Sequence, residues 1–413
     1  MKHPFLSGLC SVMLLLVLSG CWDHYELNNM AIVSGIAIDA GKHDKYKVTL
    51  EVINPGEMTS KKLSGNMPSV VYSYEGKSVV EAIRRINTGI PRKMLYSHIQ
   101  LVVVSEEIAR EGLLSFLDYF ESNREFRENV NFVMTHGSPA EDTLKISHPM
   151  VRVSSFKIVS QMELGEKEWG SDPMIKLRDF ILAWQSDTKE PLLGAIRVKG
   201  DVQKGNQITN MRKIEPSALV ELAGSGVFHH NQLLGFLSLG DTRNVLWVQG
   251  KLKQSVLTFG CGEPGKMGSY NVINSSTKKK VNYTDGKLKI DISISIQSYI
   301  SFMECKVRLS DNQEISRLQK QIEAYMEDQI KGTVSKVQHK YKADIFGFGD
   351  LLDIQQHQQY NKLKSNWSPV FEDADVKVKV TANIRQSGIT TDSFLLKAPM
   401  VRPENEQEAT EPD

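Results

Sequence analysis

The stretch Ile99-Gln100-Leu101-Val102-Val103-Val104 reads as a strand buried on both faces. Strands of that kind lie in sheets covered by helices on either side, so the run predicts a layered α/β architecture. Its surroundings agree. Upstream, residues 31–39 and 45–53 read as strands around a turn containing Gly41, and residues 70–74 as a further short strand. Val79, Val80, Ile83 and Ile86 recur at helical spacing, with Ser78 placed to cap the helix and Gly89 to stop it. Downstream, residues 108–120 read as helix and 130–135 as the returning strand; residues 58–68 read as a loop.

This pattern makes residues 21–143 an N-terminal α/β domain. A middle α/β domain follows over residues 144–250. Its helix at 175–185 carries Ile175, Leu177, Phe180, Ile181 and Trp184, and a strand covers 193–198. A hairpin turns at His229-His230-Asn231-Gln232, and a short helix covers 242–247. The C-terminal domain, 251–398, combines an antiparallel sheet with a long helix. Leu288, Ile290, Ile292, Ile294 and Ile296 alternate with polar residues, the mark of a half-buried strand. Asp311 with Glu314 opens the helix as a capping pair, and its apolar stripe runs from Ile315 to Tyr341. Residues 376–384 alternate again. Residues 399–413 read as an acidic disordered tail.

The chain has 413 residues, with 50 Lys plus Arg against 49 Asp plus Glu. Near-neutral charge excludes the strongly basic domain of a nucleic-acid binder, and the apolar content excludes a polytopic membrane protein. The uninterrupted apolar character sits at the front. Lys2 precedes a run from Leu9 to Leu18 broken only by Ser11, too short to span a bilayer but of signal-peptide length. It ends in Leu18-Ser19-Gly20-Cys21, which resembles the lipobox of bacterial lipoproteins. That resemblance implies cleavage between Gly20 and Cys21, removal of residues 1–20 as a signal peptide, and a lipid on the Cys21 thiol. Removing 20 of 413 residues leaves 393, and loss of Lys2 leaves 49 basic and 49 acidic residues. Cys261 and Cys305 remain. They are expected as free thiols, since one bridge in so large a chain would be incidental.

Motifs for catalysis are missing. There is no H-E-x-x-H, no C-x-x-C and no G-x-S-x-G. Gly260-Cys261-Gly262-Glu263-Pro264-Gly265-Lys266 fits a P-loop as far as its lysine, but Met267 stands where a Mg²⁺-binding hydroxyl belongs, so it reads as a loop. His229 and His230 read as a solvated turn whose side chains diverge. Lys278, Lys279 and Lys280 read as a solvated sheet edge. No enzyme activity, metal or cofactor is expected.

Trp22-Asp23 and Glu26-Leu27 after the lipobox, then Ala-Ile-Val-Ser-Gly-Ile-Ala-Ile-Asp at 31–39, resemble the start of the Ger(x)C family, the C subunits of spore germinant receptors. Ser97-His98-Ile99-Gln100, the Arg124 to Arg127 pair, Ser225-Gly226-Val227-Phe228, Leu234-Gly235-Phe236-Leu237, and Asp344-Ile345-Phe346-Gly347-Phe348-Gly349 with Trp367 continue the resemblance. It implies three consecutive α/β domains behind a lipidated N-terminus. It also implies a non-catalytic, lipid-anchored subunit acting in receptor assembly or signalling during germination. The protein would sit on the outer face of the spore inner membrane beside the A and B membrane subunits. Trp22, Asp23, Glu26, Leu27, His98, Arg124 and Arg127 are the expected membrane or partner contacts. The competing reading is a lipid-anchored solute-binding protein of a transporter.

Overall fold

A computed structural model describes residues 30–59, 66–127, 129–308 and 310–385. The larger of two sheets starts from strands β1 (Met30–Ala40), β2 (Tyr46–Ile53) and β3 (Ser69–Gly76), with β4 (Lys93–Leu95) beside the start of β1. It continues through β5 (Leu101–Val104), β6 (Asn131–Thr135), β7 (Leu192–Gly200), β8 (Ala218–His229) and β9 (Gln232–Leu237). The order is β3-β2-β1-β5-β6-β7-β8-β9. The central strands β1, β5, β6 and β7 are parallel, and antiparallel strands flank them on both sides. All four residues of β5 are buried, as a strand covered on both faces requires.

One face carries α1 (Val79–Ile86), α2 (Glu106–Glu111), α3 (Leu114–Ser122) and, further on, α6 (Leu177–Gln185); the other carries α4 (Ala140–Lys145) and α5 (Ser154–Glu168). Ser78 caps α1 as expected, its hydroxyl accepting the Glu81 amide at 3.1 Å. The single helix expected at 108–120 is two. Gly112 adopts φ +120°, which L side chains rarely take, and the chain bends there before α3.

Helices α4 and α5 begin at Pro139 and Val153, neither of which supplies a capping side chain. Carboxylates on the sheet do so instead. Asp39 accepts the amides of Ala140 and Glu141 at 2.6 and 2.8 Å. Glu51, wholly buried, accepts the amides of Ser154 and Ser155 at 2.8 and 3.0 Å and the hydroxyls of Ser69 and Ser34 at 2.9 Å each. A negative group at a helix N-terminus satisfies unpaired donors and opposes the helix dipole. Gly35 admits this approach: a Cβ there would lie 3.0 Å from Ser155 and 3.4 Å from the Glu51 carboxylate.

The mixed α/β class is as the sequence implies, but the domain limits differ from those expected. The boundary at 143/144 falls inside one sheet, because β6 pairs directly with β7. Helix α7 (Leu239–Gln249), placed with the middle domain, packs into the C-terminal core through Val245, Leu246, Trp247 and Val248. Burial of apolar faces, which sequence order does not reveal, decides both points.

The second sheet runs β10 (Ser255–Gly260), β11 (Met267–Thr284), β12 (Lys287–Met303), β13 (Asp375–Ile384). Its apolar face packs on the long helix α8 (Asn312–Lys336) through Leu318, Ile322, Met326, Ile330 and Val334. Asp311 caps α8, accepting the Gln313 amide at 2.8 Å, while Glu314 pairs with Arg317. The loop read at residues 260–266 lies between β10 and β11, and it opens into an 18-residue strand not expected from the sequence. The lysines at 278–280 lie in β11 beyond Val272, where its pairing with β10 stops. Strand β12 is therefore their one strand neighbour among the described residues, and they stand at a sheet edge as read, although Lys279 is half-buried rather than solvated.

Cys261 and Cys305 are not free: they form a disulfide, with Cα atoms 6.1 Å apart, tying the end of β10 to the end of β12. The bridge spans a sequence separation of 44, and closing a loop of that length removes unfolded-chain entropy worth about 4 kcal/mol in the chain-entropy account. Replacing both cysteines with serine is expected to lower the free energy of unfolding by up to that amount, measured by denaturant titration. An unchanged midpoint would show that the bridge contributes nothing.

The segment Asp344–Gly349 closes this domain around one carboxylate. Buried Asp344 accepts the amides of Phe346, Gly347 and Gly349 at 2.9 to 3.1 Å and the Trp367 indole at 3.2 Å. Burial outweighs those donors and pushes the Asp344 carboxyl up to about 6.

Candidate functional site

Because β1, β5, β6 and β7 are parallel, their starts share one end of the large sheet. The chain arrives at this end from its N-terminal segment, at Met30. Gly20, Cys21, Trp22, Asp23, Glu26 and Leu27 lie outside the described residues. The other expected contacts are brought together here. His98 sits in the turn before β5, and Arg124 and Arg127 sit in the turn before β6; all three are exposed. That exposure sets aside structural pairing in the core as their role.

The two turns are fastened to each other. The Asn131 amide and side chain both donate to the Gln100 carbonyl, at 3.1 and 2.9 Å. Between the two arginines, Phe126 turns inward and packs against Tyr96, Tyr119 and Phe120, with ring centroids 5.2, 5.5 and 4.9 Å apart. This aromatic anchor holds Arg124 and Arg127 outward on a fixed turn. A shallow crevice of about 320 Å³ beside it includes Arg84, Arg92, Lys93 and Glu125. Arg84, Arg92, Lys93, Arg124 and Arg127 make this end basic on a chain that is nearly neutral overall. Such a surface suits an anionic partner or headgroup layer.

Asp172 lies buried ahead of α6, against Gly194 of β7. Its Oδ1 accepts the Met174 amide at 2.7 Å, whereas Oδ2 has no hydrogen-bond partner. Burial pushes its carboxyl up to about 7, from 3.8. The folded protein thus keeps a proton that the unfolded chain releases near pH 4. The stability from this group is full below that pH and is lost as pH rises through 7. Asp172→Asn and the parent are expected to have similar unfolding free energies at about pH 4, with the variant ahead at about pH 8 by up to ~4 kcal/mol. Parallel pH profiles of the denaturant midpoint would refute this.

Two other charged groups are self-satisfied. At the opposite end of the sheet, a crevice of about 590 Å³ holds Asp39, Lys47, Ser105, Glu106, Arg110 and Glu141. Ligands of open α/β sheets commonly bind at such carboxyl ends. Here Arg110 pairs with Glu106, Lys47 with Glu141, and Asp39 with the start of α4. At the tip of the β8–β9 hairpin, Glu190, His229 and His230 converge. The imidazoles do not diverge as expected but lie 4.3 Å apart. Glu190 bonds His229 Nδ1 at 2.8 Å and accepts the His230 amide at 2.6 Å, so both carboxylate oxygens fasten the hairpin.

Comparison with known proteins bears on most of the chain. Residues 23–198 match the family model of the spore germination protein N-terminal domain, and residues 223–388 that of the spore germination B3/GerAC-like C-terminal domain. Spore germination protein KC of Bacillus subtilis (strain 168) is 29% identical over 396 residues, covering 94% of this chain and 97% of that protein. Spore germination protein B3 of the same organism is 24% identical, covering 91% and 96%. The crystal structure of the GerBC protein shares the fold, with a TM-score of 0.56 at 21% identity, over 85% of this chain and 97% of that one.

Proposed function

The chain belongs to the Ger(x)C family, the C subunits of spore germinant receptors, and from that premise we propose that it serves such a receptor as a lipid-anchored, non-catalytic subunit on the outer face of the spore inner membrane. Two spore germination domain models along the chain favour this over a transporter's solute-binding protein. Among the described residues no helix is long and apolar enough to cross a membrane. In this reading the attachment is the Cys21 lipid, released for modification by cleavage after Gly20.

The observation that carries the reading is the shared start of the parallel strands. From Cys21 to Met30 the chain reaches at most about 30 Å. A lipid on Cys21 therefore keeps the basic end, with His98, Arg124 and Arg127, close to the bilayer and to the A and B membrane subunits. Trp22, Asp23, Glu26 and Leu27 would lie at the headgroup boundary, where an indole ring is favoured. Confinement to the membrane plane raises the effective concentration of this end for its partners.

Spores carrying Arg124→Glu with Arg127→Glu test it, with spores lacking the protein as the reference. The double variant is expected to reach the membrane in normal amount and to germinate on nutrient about tenfold more slowly, since like charges across an interface cost several kcal/mol. A normal rate in the double variant would remove this end as the contact. A normal rate on every nutrient in spores without the protein would remove the receptor role.

A further inference from the structure

The C-terminal sheet has an outer face that nothing among the described residues covers. Its strands bring lysines together from three places in the sequence. Lys278 stands opposite Ser293, which stands opposite Lys379; Lys280 faces Asp291, which faces Lys377. Asn282 faces Lys289, which faces Asp375, and Thr284 faces Lys287. Directly opposed residues point to the same side of a sheet. All six lysines are exposed, and none of them takes part in an ion pair among the described residues. Asp291 and Asp375 are the acidic groups these rows contain, which leaves the lysines in clear excess. Like charges at this density repel one another and favour an anionic occupant.

We propose that residues 403–413 of this same chain dock on that face. They hold Glu404, Glu406, Glu408, Glu411 and Asp413 and no lysine or arginine. The spacing matches as well as the sign. Glu404, Glu406 and Glu408 alternate, so an extended chain presents them on one side every ~6.8 Å. Lys278 with Lys280, Lys287 with Lys289, and Lys377 with Lys379 repeat at that same interval along their strands. Reach is ample. Strand β13 ends at Ile384 beside β12, where the Arg385 amide still donates to Ser298 at 2.7 Å. Lys379 lies five residues back, roughly 17 Å away along the strand, while the chain from 385 to 404 extends up to about 60 Å. The C-terminal family model stops at residue 388, so this segment lies beyond the part shared with the family. Docked, the segment neutralises the lysine face and keeps other anions off it. The contact strengthens as salt is lowered, because screening at 0.1 M already acts within about 10 Å.

The full mature chain is compared with a version ending at Arg402 and with a Glu404→Gln, Glu406→Gln, Glu408→Gln version. Each is labelled with a limiting amine-acetylating reagent and read by peptide mass spectrometry. In low salt, both altered versions are expected to label about threefold faster at the six lysines, but not at exposed Lys320 and Lys331, and about 0.5 M NaCl should abolish the difference. A carbodiimide should couple the tail carboxylates to Lys287, Lys377 or Lys379 within monomers. Equal labelling of all versions in low salt would overturn the proposal. So would coupling found only between two copies, or equal protection of the face by phosphatidylglycerol vesicles with and without the tail, which would make a lipid surface the occupant.

Discussion

Replacing Cys21 with alanine is expected to move the protein from the membrane pellet to the soluble fraction and to reduce nutrient germination to the level of spores without it. The expectation follows from how little else could hold it. Without residues 1–20 the chain would carry 49 basic and 49 acidic residues, so bulk attraction to anionic lipid is weak. No described helix can cross the bilayer. Each buried CH₂ of an acyl chain contributes roughly 0.8 kcal/mol, and a single chain gives only marginal, reversible binding, whereas a second makes it durable. Loss of the lipid is therefore a loss of almost all membrane affinity. Fractionation followed by immunodetection checks it. A variant that still pellets quantitatively would show that the apolar run from Leu9 to Leu18, or contact with membrane subunits, is anchor enough.

Replacing Glu51 with alanine is expected to destabilise the N-terminal sheet and its helices by about 4 kcal/mol, the sum of several buried hydrogen-bond partners left unsatisfied. The side chain accepts four hydrogen bonds in a site closed to water. Alanine leaves the Ser154 and Ser155 amides and the Ser69 hydroxyl without this acceptor, while the Ser34 hydroxyl keeps the residue-51 carbonyl at 3.3 Å, and each buried unsatisfied group costs about 1–3 kcal/mol. It also leaves a cavity beneath α5. Glutamine keeps one acceptor oxygen and is expected to fall between the two. Since whole domains are stable by only 5–15 kcal/mol, Glu51→Ala should show a much lower denaturant midpoint and reduced protein in spores. Glu81, at the exposed start of α1, is the control: its removal should cost well under half as much, because water replaces what it loses. Equal effects at Glu51 and Glu81 would refute the capping role.

These two residues differ in how plainly the sequence announces them. Cys21 is legible because its context is linear: a short apolar run, small residues, then cysteine. Glu51 gives no local sign. It sits in a strand of otherwise ordinary alternation, and the helix it caps begins 103 residues later. The same contrast runs through the fold. Residues 99–104 and 288–296 reveal themselves because apolar periodicity reports burial directly. Strand β11 does not, because one of its faces is polar and rich in Ser, Asn and Lys. Within the lysine triplet, Lys278 and Lys280 face solvent, while Lys279 turns inward towards the Phe346 carbonyl and the Phe348 ring. His98, Arg124 and Arg127 were singled out by resemblance. That they share one end of the sheet depends on the parallel pairing of β1, β5 and β6.

The sequence by itself determined the α/β class, most of the elements and the family, and it supplied the lipobox resemblance on which the proposed Cys21 anchor rests. Each of these is written in neighbouring residues, where periodicity, capping and motif spacing act over a few positions. Only the tertiary structure decided that one sheet runs from β1 to β9, that Cys261 meets Cys305, that Asp39 and Glu51 cap distant helices, and that six lysines from three strands form one face. The physical reason is common to all four. Each depends on which strands become neighbours, and that choice is made by burying apolar faces and satisfying backbone donors across the whole chain.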